Sequence, residues 1–153
     1  MTSGEDPVSE RVAVIGGGSW GTALANLLAK KGMQVCVWSY EADVAEAINA
    51  QHRNPRYLSD VALDESLRAT HDLDEAVTDA QFVVSVSPAQ HVRRVMGDAV
   101  RRMREDALVI GASKGIETSS LKTMAQVHAE VLPRRAAARA CFLSGPSFAL
   151  EVA

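Results

Sequence analysis

Hydrophobic and polar positions alternate along this chain in two patterns. Short runs that are apolar at nearly every position and rich in β-branched residues are typical of strands buried on both faces of a sheet. Segments between them place apolar residues at i, i+3 and i+4, which is typical of helices with one buried face. The predicted strands cover residues 11–16, 34–39, 81–87, 107–112 and 139–143. The predicted helices cover residues 22–31, 41–52, 89–104 and 121–132, with a single helical turn over 74–78.

This alternation of strand and helix predicts the fold class. Neighbouring parallel strands need a crossover connection, and a helix provides it. Right-handed crossovers and a reversal of strand order leave a crevice at the carboxyl ends of the strands, where ligands bind. The sequence therefore predicts an α/β fold with a doubly wound parallel sheet. We expect one domain over residues 11–153, a flexible leader over residues 1–10 and an irregular segment over residues 54–73.

Composition narrows the class of protein. The 153 residues are 47% hydrophobic and 23% charged, which is typical of a folded globular domain and argues against disorder. The net charge of −3 does not favour nucleic acid or a phospholipid surface as a partner. No apolar run approaches the ~20 residues of a membrane-spanning helix, and the polar, acidic N-terminus is unlike a signal peptide. We expect a cytoplasmic protein whose cysteines, Cys36 and Cys141, are buried and reduced.

The segment GGGSWG, residues 16–21, carries the clearest chemical signal. It fits G-x-G-x-x-G, and it follows the first predicted strand and precedes a helix, where the dinucleotide fingerprint belongs. Gly16 would allow the tight turn, Gly18 would leave room for a pyrophosphate, and Gly21 would let the helix pack closely on the strand. Ser19 and Trp20 are expected in the loop, with their N–H groups directed at the ligand. The sequence therefore predicts a dinucleotide site.

The choice between NAD and NADP stays open at this level. An acidic residue at the end of the second strand would bind both ribose hydroxyls and favour NAD, whereas a nearby arginine would accept the 2′-phosphate of NADP. Glu41 lies twenty residues beyond Gly21, but the predicted strand ends at Ser39 and no Arg or Lys is close in the sequence. We expect Ser39 and Tyr40 to lie against the adenosine. The predicted cofactor is NAD or NADP.

Three later loops also follow predicted strands. The segment around Pro88 is interpreted as a helix start, and the arginines of the helix over 89–104 as a solvated face. Lys114 would stand at the mouth of the crevice, where it could attract a phosphate or carboxylate or be a plain surface lysine. Residues 144–147 suit close approach of a ligand, but an ordinary loop explains them equally. The four histidines lack the spacing of metal ligands, so we expect no metal site.

Several motifs, taken in order along the chain, carry a family resemblance. They are GGGSWGTALA (16–25), VWSYEADVAEAIN (37–49), NPRYL (54–58), Pro88-Ala89-Gln90 with Arg93, SKGIE (113–117) and LSGPSFALEVA (143–153). Together they resemble the bacterial-type NAD(P)-dependent glycerol-3-phosphate dehydrogenases. The most specific matches are SKGIE and LSGPSFALEVA.

The resemblance implies a fold and an oxidoreductase activity. The fold would be a Rossmann dinucleotide-binding domain followed by an all-α domain. The enzyme would interconvert sn-glycerol 3-phosphate and dihydroxyacetone phosphate by hydride transfer with NAD or NADP, for glycerophospholipid synthesis. The implied cofactor contacts, beside the glycines above, are Ser19, Trp20, Ser39, Tyr40, Tyr57, Lys114 and Ala149. The implied substrate contacts are Lys114, Gly145 and Ser147.

The chain departs from the family pattern most in its length. Members continue for roughly as many residues again, through the all-α domain and the lysine that acts as proton acceptor. We therefore expect a chain truncated before that domain, without a catalytic residue of its own and inactive alone. For the full-length protein, a homo-oligomer stays open. Ser59, Ser87 and Tyr40 replace a proline, a valine and a frequent arginine. Two alternatives remain: a stand-alone NAD(P)-binding regulatory module, and another Rossmann dehydrogenase that acts on a hydroxy acid.

Overall fold

The computed structural model describes residues 9–145 and 147–153, so the predicted leader lies outside the described residues except at positions 9 and 10. The strands are β1 Arg11–Ile15, β2 Gln34–Trp38, β3 Arg68–Thr70, β4 Phe82–Ser85, β5 Leu108–Gly111, β6 Ile116–Glu117, β7 Lys122–Thr123 and β8 Cys141–Phe142. The helices are α1 Ser19–Lys30, α2 Ala42–Gln51, α3 Leu73–Val77, α4 Ala89–Ala99, α5 Met124–Val131, α6 Arg134–Ala137 and α7 Ala149–Val152.

A parallel sheet organises the molecule. Its six strands run in the order β3-β2-β1-β4-β5-β8, and every neighbouring pair is parallel. The chain moves outward from β1 through β2 to β3, then returns to the other side of β1 with β4 and moves outward again. The strand order therefore reverses between β1 and β4, which is the switch point of a doubly wound fold. The predicted α/β fold class is confirmed.

Helices cover both faces of this sheet, and β1 shows why. Successive side chains of a strand point to opposite faces, so Ala13 and Ile15 pack in one core cluster while Val12 and Val14 pack in the other. The first cluster includes the inner sides of α3, α4 and α5, and the second includes those of α1 and α2. Because both faces are buried, these strands are apolar at almost every position. None of the helices within the described ranges is long and apolar enough to cross a bilayer.

Elements with a weak apolar pattern are the ones that the sequence did not predict. Strand β3 lies in the segment expected to be irregular; it has three residues and begins with Arg68, so it presents no apolar run. It forms because β2 offers a free edge and because Asn49 bonds both backbone groups of Ala69, at 2.8 and 2.9 Å. The short elements β6, β7, α6 and α7 were also not predicted, and α4 ends five residues earlier than expected, at Ala99.

The two cysteines differ in their surroundings. Cys36, on β2, is partly buried, and burial raises the pKa of its thiol to about 11, with a smaller effect from Glu75. Cys141 is exposed on β8, at the edge of the sheet, so the expectation that both cysteines are buried is wrong for this residue. Strand β8 lies at the edge of the sheet and packs chiefly against β5, so few neighbouring side chains cover it.

His128 is a fully buried histidine in α5. Its Nδ1 lies 2.7 Å from the carbonyl oxygen of Met124, while its Nε2 is buried without a hydrogen-bond partner in the described part of the chain. Its ring packs edge-on against Phe142. Burial lowers the pKa of His128, and the hydrogen bond to Met124 opposes that effect. The folded state therefore favours the neutral ring.

This burial predicts a loss of stability in mild acid. The unfolded chain takes up a proton below about pH 6.5, whereas the folded ring resists it, so the free energy of unfolding should be full above that pH and fall below it. In urea titrations across this pH range, His128→Leu should remove that part of the slope. His71→Gln, which keeps the buried ring, should retain it. A slope that is unchanged in His128→Leu would contradict the assignment.

Candidate functional site

In the turn between β1 and α1, a side chain on each of the three motif glycines would meet different surroundings. Gly16 has φ +137°, and a Cβ there would lie 2.9 Å from the backbone of Val86 and Ser87. A Cβ on Gly21 would lie 1.8 Å from the carbonyl oxygen of Gly16. A Cβ on Gly18 would meet nothing within 4 Å. The first and third glycines therefore allow the backbone to pack closely where the strand meets the helix, and the second faces open space.

Helix α1 starts at this turn without a side-chain cap. Its N-cap residue is Gly18, which has no side chain that could accept a hydrogen bond from the first N–H groups of the helix. The first turn also contains no acidic residue. Ser19 and Trp20, expected in the loop, are instead the first two residues of α1, because the extended Gly18 is the last residue before helical geometry begins. The start of a helix carries free N–H groups and a partial positive charge, which suit an anionic group.

A cleft of about 630 Å³ lies next to this helix start. It opens at the carboxyl ends of β1, β2, β4 and β5, on both sides of the switch point, which is where doubly wound sheets bind ligands. Its lining consists of Gly16, Gly17, Gly18, Ser19, Trp20, Gly21, Trp38, Tyr40, Glu41, Tyr57, Val86, Ser87, Pro88, His91, Arg94, Val95, Ala112, Ser113, Lys114 and Ser147.

Most of the residues suggested by sequence meet in this cleft. The suggested residues found in the lining are Gly16, Gly18, Ser19, Trp20, Gly21, Tyr40, Tyr57, Lys114 and Ser147. Three others are outside the lining. Ser39 is fully buried behind Gly17, where a Cβ added to that glycine would lie 2.8 Å from the Ser39 Cβ. Ala149 begins α7, which packs against α1, and Gly145 has φ +131° in the loop after β8.

Asn54 brings Tyr57 into the cleft from a segment without regular structure. The buried amide of Asn54 donates to the carbonyl oxygen of Gly17 at 2.9 Å and to Thr22 Oγ1 at 2.8 Å, and its Oδ1 accepts from the N–H of Tyr57 at 3.2 Å. Ser19 Oγ donates to the carbonyl oxygen of Tyr57. These bonds fasten the segment to the glycine turn. Sequence reasoning missed Asn54, and its only signal was membership of the NPRYL motif.

Lys114 lies at the rim of the cleft, in contact with Ser147 and Trp20, which the resemblance also assigns to the site. Its Nζ donates to the carbonyl oxygen of Ser147 at 2.9 Å and lies 3.4 Å from Ser147 Oγ. The same ammonium lies 5.2 Å from the centre of the Trp20 ring, within the range of a cation–π contact. The loops after β5 and β8 and the first turn of α1 thus place a cation at one end of the cleft.

An ion pair anchors the loop that carries Lys114. Arg93, on α4, donates from Nε and Nη2 to the carboxylate of Glu117 on β6, at 2.9 and 2.8 Å, and also pairs with Glu130 at 2.8 Å. Glu117 is 5% exposed and accepts a further bond from Ser120. Arg93 was expected on a solvated face, and that expectation is wrong because the β6-β7 hairpin folds over α4. The pair therefore holds the hairpin at Glu117, only three residues beyond Lys114.

The pair predicts a specific response to acid. The Arg93 guanidinium, with help from Ser120, lowers the pKa of Glu117 from 4.5 to about 2. The stabilisation is therefore present above about pH 4.5 and is lost as the pH falls toward 2. Glu117→Gln should lower the midpoint of thermal unfolding at pH 7 and flatten its dependence on pH in this window. Glu46→Gln, which neutralises an exposed carboxylate on α2, should behave as wild type at pH 7; an equal loss in both variants would contradict the prediction.

Helix α4 contributes two cleft residues that sequence reasoning assigned elsewhere. From the sequence, His91 had no role beyond the exclusion of the histidines as metal ligands, and Arg94 was placed on a solvated face, yet both line the cleft. They follow Pro88 by three and six residues, so one side of the first two turns faces the cleft. A signal was present in that spacing, counted from Pro88, the N-cap residue of α4.

Comparison with known proteins gives one consistent answer. A family profile described as the NAD-dependent glycerol-3-phosphate dehydrogenase N-terminus matches residues 11–153. The chain is 48% identical over 145 residues to glycerol-3-phosphate dehydrogenase [NAD(P)+] of Geobacter sulfurreducens, covering 95% of this chain and 43% of that protein. It is 47% identical over 142 residues to the enzyme of the same name from Nitratidesulfovibrio vulgaris strain DP4, covering 93% and 43%.

Solved structures agree with these relatives. The crystal structure of glycerol-3-phosphate dehydrogenase from Coxiella burnetii superposes with a TM-score of 0.83 at 32% identity, covering 95% of this chain and 44% of that one. This chain therefore spans less than half the length of the relatives that it matches.

Proposed function

We infer the function of this chain from its family: it belongs to the N-terminal domains of NAD-dependent glycerol-3-phosphate dehydrogenases. We propose that it is the cofactor-binding part of an enzyme that interconverts sn-glycerol 3-phosphate and dihydroxyacetone phosphate by hydride transfer with NAD or NADP. The family match favours this function over a stand-alone regulatory module and over a hydroxy-acid dehydrogenase.

One observation carries the cofactor assignment. The start of α1 is bare at Gly18, opens into the cleft at the switch point, and has no side chain of its own to satisfy its N–H groups. A pyrophosphate fits this position because backbone N–H groups and the helix dipole stabilise its charge without a bulky side chain. The indole Nε1 of Trp20 is also buried without a hydrogen-bond partner among the described residues, and its residue lines the same cleft.

The proposed chemistry combines the nicotinamide of the bound cofactor with the cation at the rim of the cleft. NAD or NADP supplies the nicotinamide that accepts or donates the hydride. The ammonium of Lys114, held by Ser147, lies where it can stabilise negative charge on a substrate phosphate or on a carbonyl oxygen that becomes an alkoxide. Gly145 and Ser147 are proposed as the other substrate contacts. The proton acceptor is proposed to lie in the part of the longer enzyme that this chain does not include.

The setting of the reaction is also a proposal. The substrate is a small phosphate ester, and the product would serve glycerophospholipid synthesis in the cytoplasm. We propose no nucleic-acid partner, since the chain carries a net charge of −3. A homo-oligomer of the full-length protein stays a prediction from the resemblance.

Calorimetric titration of the 153-residue chain with NADH and with NADPH tests the proposal. We expect saturable binding of at least one of them at one site, and no comparable binding of ATP, which lacks the nicotinamide half. Absence of binding by both dinucleotides would contradict the proposal. The chain alone should not reduce dihydroxyacetone phosphate with NADH, and turnover in that assay would show that the proton donor and acceptor lie within these residues.

A further inference from the structure

The cleft contains a fixed carboxylate in the loop between β2 and α2, three residues beyond the end of the strand. Glu41 is the N-cap residue of α2, yet its side chain makes no capping bond to that helix. Instead its Oε1 accepts from the hydroxyl of Tyr57 at 2.8 Å, and its Oε2 lies 3.3 Å from Ser39 Oγ. Glu41 and Tyr57 both line the cleft. The carboxylate is therefore oriented by groups outside its own helix, within reach of whatever occupies the cleft.

These contacts keep the carboxylate charged. The hydrogen bond from Tyr57 is the main cause of a lowered pKa for Glu41, and burial opposes it. The loop holding Tyr57 is itself fastened by Asn54 to the carbonyl oxygen of Gly17, at 2.9 Å. The orientation of Glu41 is thus tied to the same turn that would hold the pyrophosphate.

A carboxylate in this position discriminates between the two dinucleotides. It can accept hydrogen bonds from the two hydroxyls of an adenosine ribose, whereas it repels the 2′-phosphate that replaces one of them in NADP. Tyr40 is 74% exposed and lies two residues after the end of β2, where its ring packs edge-on against that of Trp38 with their centres 6.5 Å apart. The residues beside Glu41 therefore form an aromatic wall that suits an adenosine.

Two arginines, Arg56 and Arg94, would oppose this discrimination, because a positive charge attracts the 2′-phosphate of NADP. Arg56 lies over the Tyr57 ring, 5.5 Å from its centre, and pairs with Asp43 at 3.8 Å, so its charge is partly offset. Arg94 lines the cleft from α4 but is exposed, and in the described part of the chain no carboxylate or hydrogen-bond acceptor holds it. A carboxylate held by two hydroxyls loses less conformational freedom on binding than an unrestrained arginine does.

We propose that Glu41, oriented by Tyr57, makes this cleft select NAD(H) over NADP(H). The inference rests on the proposed function, because it concerns which dinucleotide the site prefers. Glu41 is a specificity-determining residue, and Tyr57 is the residue that positions it.

Titration of wild type and variants with NADH and NADPH tests the inference through the ratio of the two affinities. Wild type should bind NADH at least about tenfold more tightly than NADPH, which is the effect of one hydrogen bond to a charged group. Glu41→Gln, which keeps the shape and an acceptor for Tyr57, should lower that ratio by about tenfold, chiefly by improving NADPH binding. Tyr57→Phe should lower the ratio by a smaller factor.

Glu46→Gln is the matched control, because it removes a negative charge from the same helix, on an exposed side chain that is outside the cleft lining and forms no ion pair among the described residues. The ratio should stay as in wild type, whereas a general change in charge would lower it equally in both variants. The inference would be overturned if wild type bound NADPH as tightly as NADH or more tightly. Loss of that NADPH binding in Arg94→Gln would then assign the preference to Arg94. An unchanged ratio in Glu41→Gln would also overturn the inference. If wild type bound neither NADH nor NADPH, the proposed function would be overturned instead.

Discussion

Replacing Gly21 by alanine should destabilise the domain by about 3 kcal/mol or more, the upper range for forcing an atom into a packed site. The added Cβ would lie 1.8 Å from the carbonyl oxygen of Gly16, and the next contacts are the Gly16 carbonyl carbon and Val86 Cγ1, both at 3.0 Å. The closest atom is backbone, so no rotation of a side chain relieves the overlap. Helix α1 would have to move off β1, and urea titration at neutral pH measures the loss.

The control for this prediction lies in another helix. Gly97 is within α4, and a Cβ there would meet nothing within 4 Å. Gly97→Ala should raise the free energy of unfolding by about 0.5–1 kcal/mol, because alanine loses less backbone entropy in a helix. A Gly21→Ala variant as stable as wild type would show that the strand and helix are less closely packed at this turn.

Replacing Gly18 by alanine should weaken the binding of NADH or NADPH by roughly 100-fold. Unlike Gly21→Ala, this variant should keep a free energy of unfolding close to that of wild type. The residue has φ −73° and ψ −176°, which any amino acid adopts, and its Cβ would meet no protein atom within 4 Å. The methyl group would occupy the space through which a pyrophosphate approaches the start of α1. A 100-fold loss corresponds to about 2.7 kcal/mol, as expected when one or two hydrogen bonds to a charged group are lost.

Calorimetric titration and urea unfolding of the same Gly18→Ala preparation would check both parts. Gly97→Ala serves again as the control and should bind as wild type does. If Gly18→Ala binds the dinucleotides normally, the phosphates do not approach this turn. If it unfolds, the open space beside Gly18 has a structural role instead.

Local patterns were sufficient for the central part of the fold. Strands β1, β2, β4 and β5 were predicted close to their observed positions, because burial on both faces requires apolar residues along their whole length. The helices that follow β1 and β2 were predicted from the spacing of their apolar positions, although α1 begins three residues before the predicted start. Where a strand is very short, as with the three residues of β3, which begin with Arg68, there is no apolar run for the pattern to detect.

Candidate site residues divide in the same way. The glycine turn was predicted from sequence because its function depends on residues within six positions of one another. Lys114 and Ser147 were suggested by the resemblance, and their contact at 2.9 Å joins residues 33 positions apart. Arg93 and Arg94 looked alike in the sequence, but one is paired with Glu117 and the other lines the cleft.

The sequence by itself therefore determined the α/β class, the parallel sheet and the glycine turn between β1 and α1, since each depends on the identity and spacing of neighbouring residues. Only the tertiary structure decided that Asn54 carries Tyr57 to the turn, that Tyr57 orients Glu41, and that His91 and Arg94 join the same cleft. The physical reason is that these contacts depend on the order of the strands and on where each connecting segment crosses the sheet. Residues distant in the chain meet there through packing of the whole domain, which no local periodicity encodes.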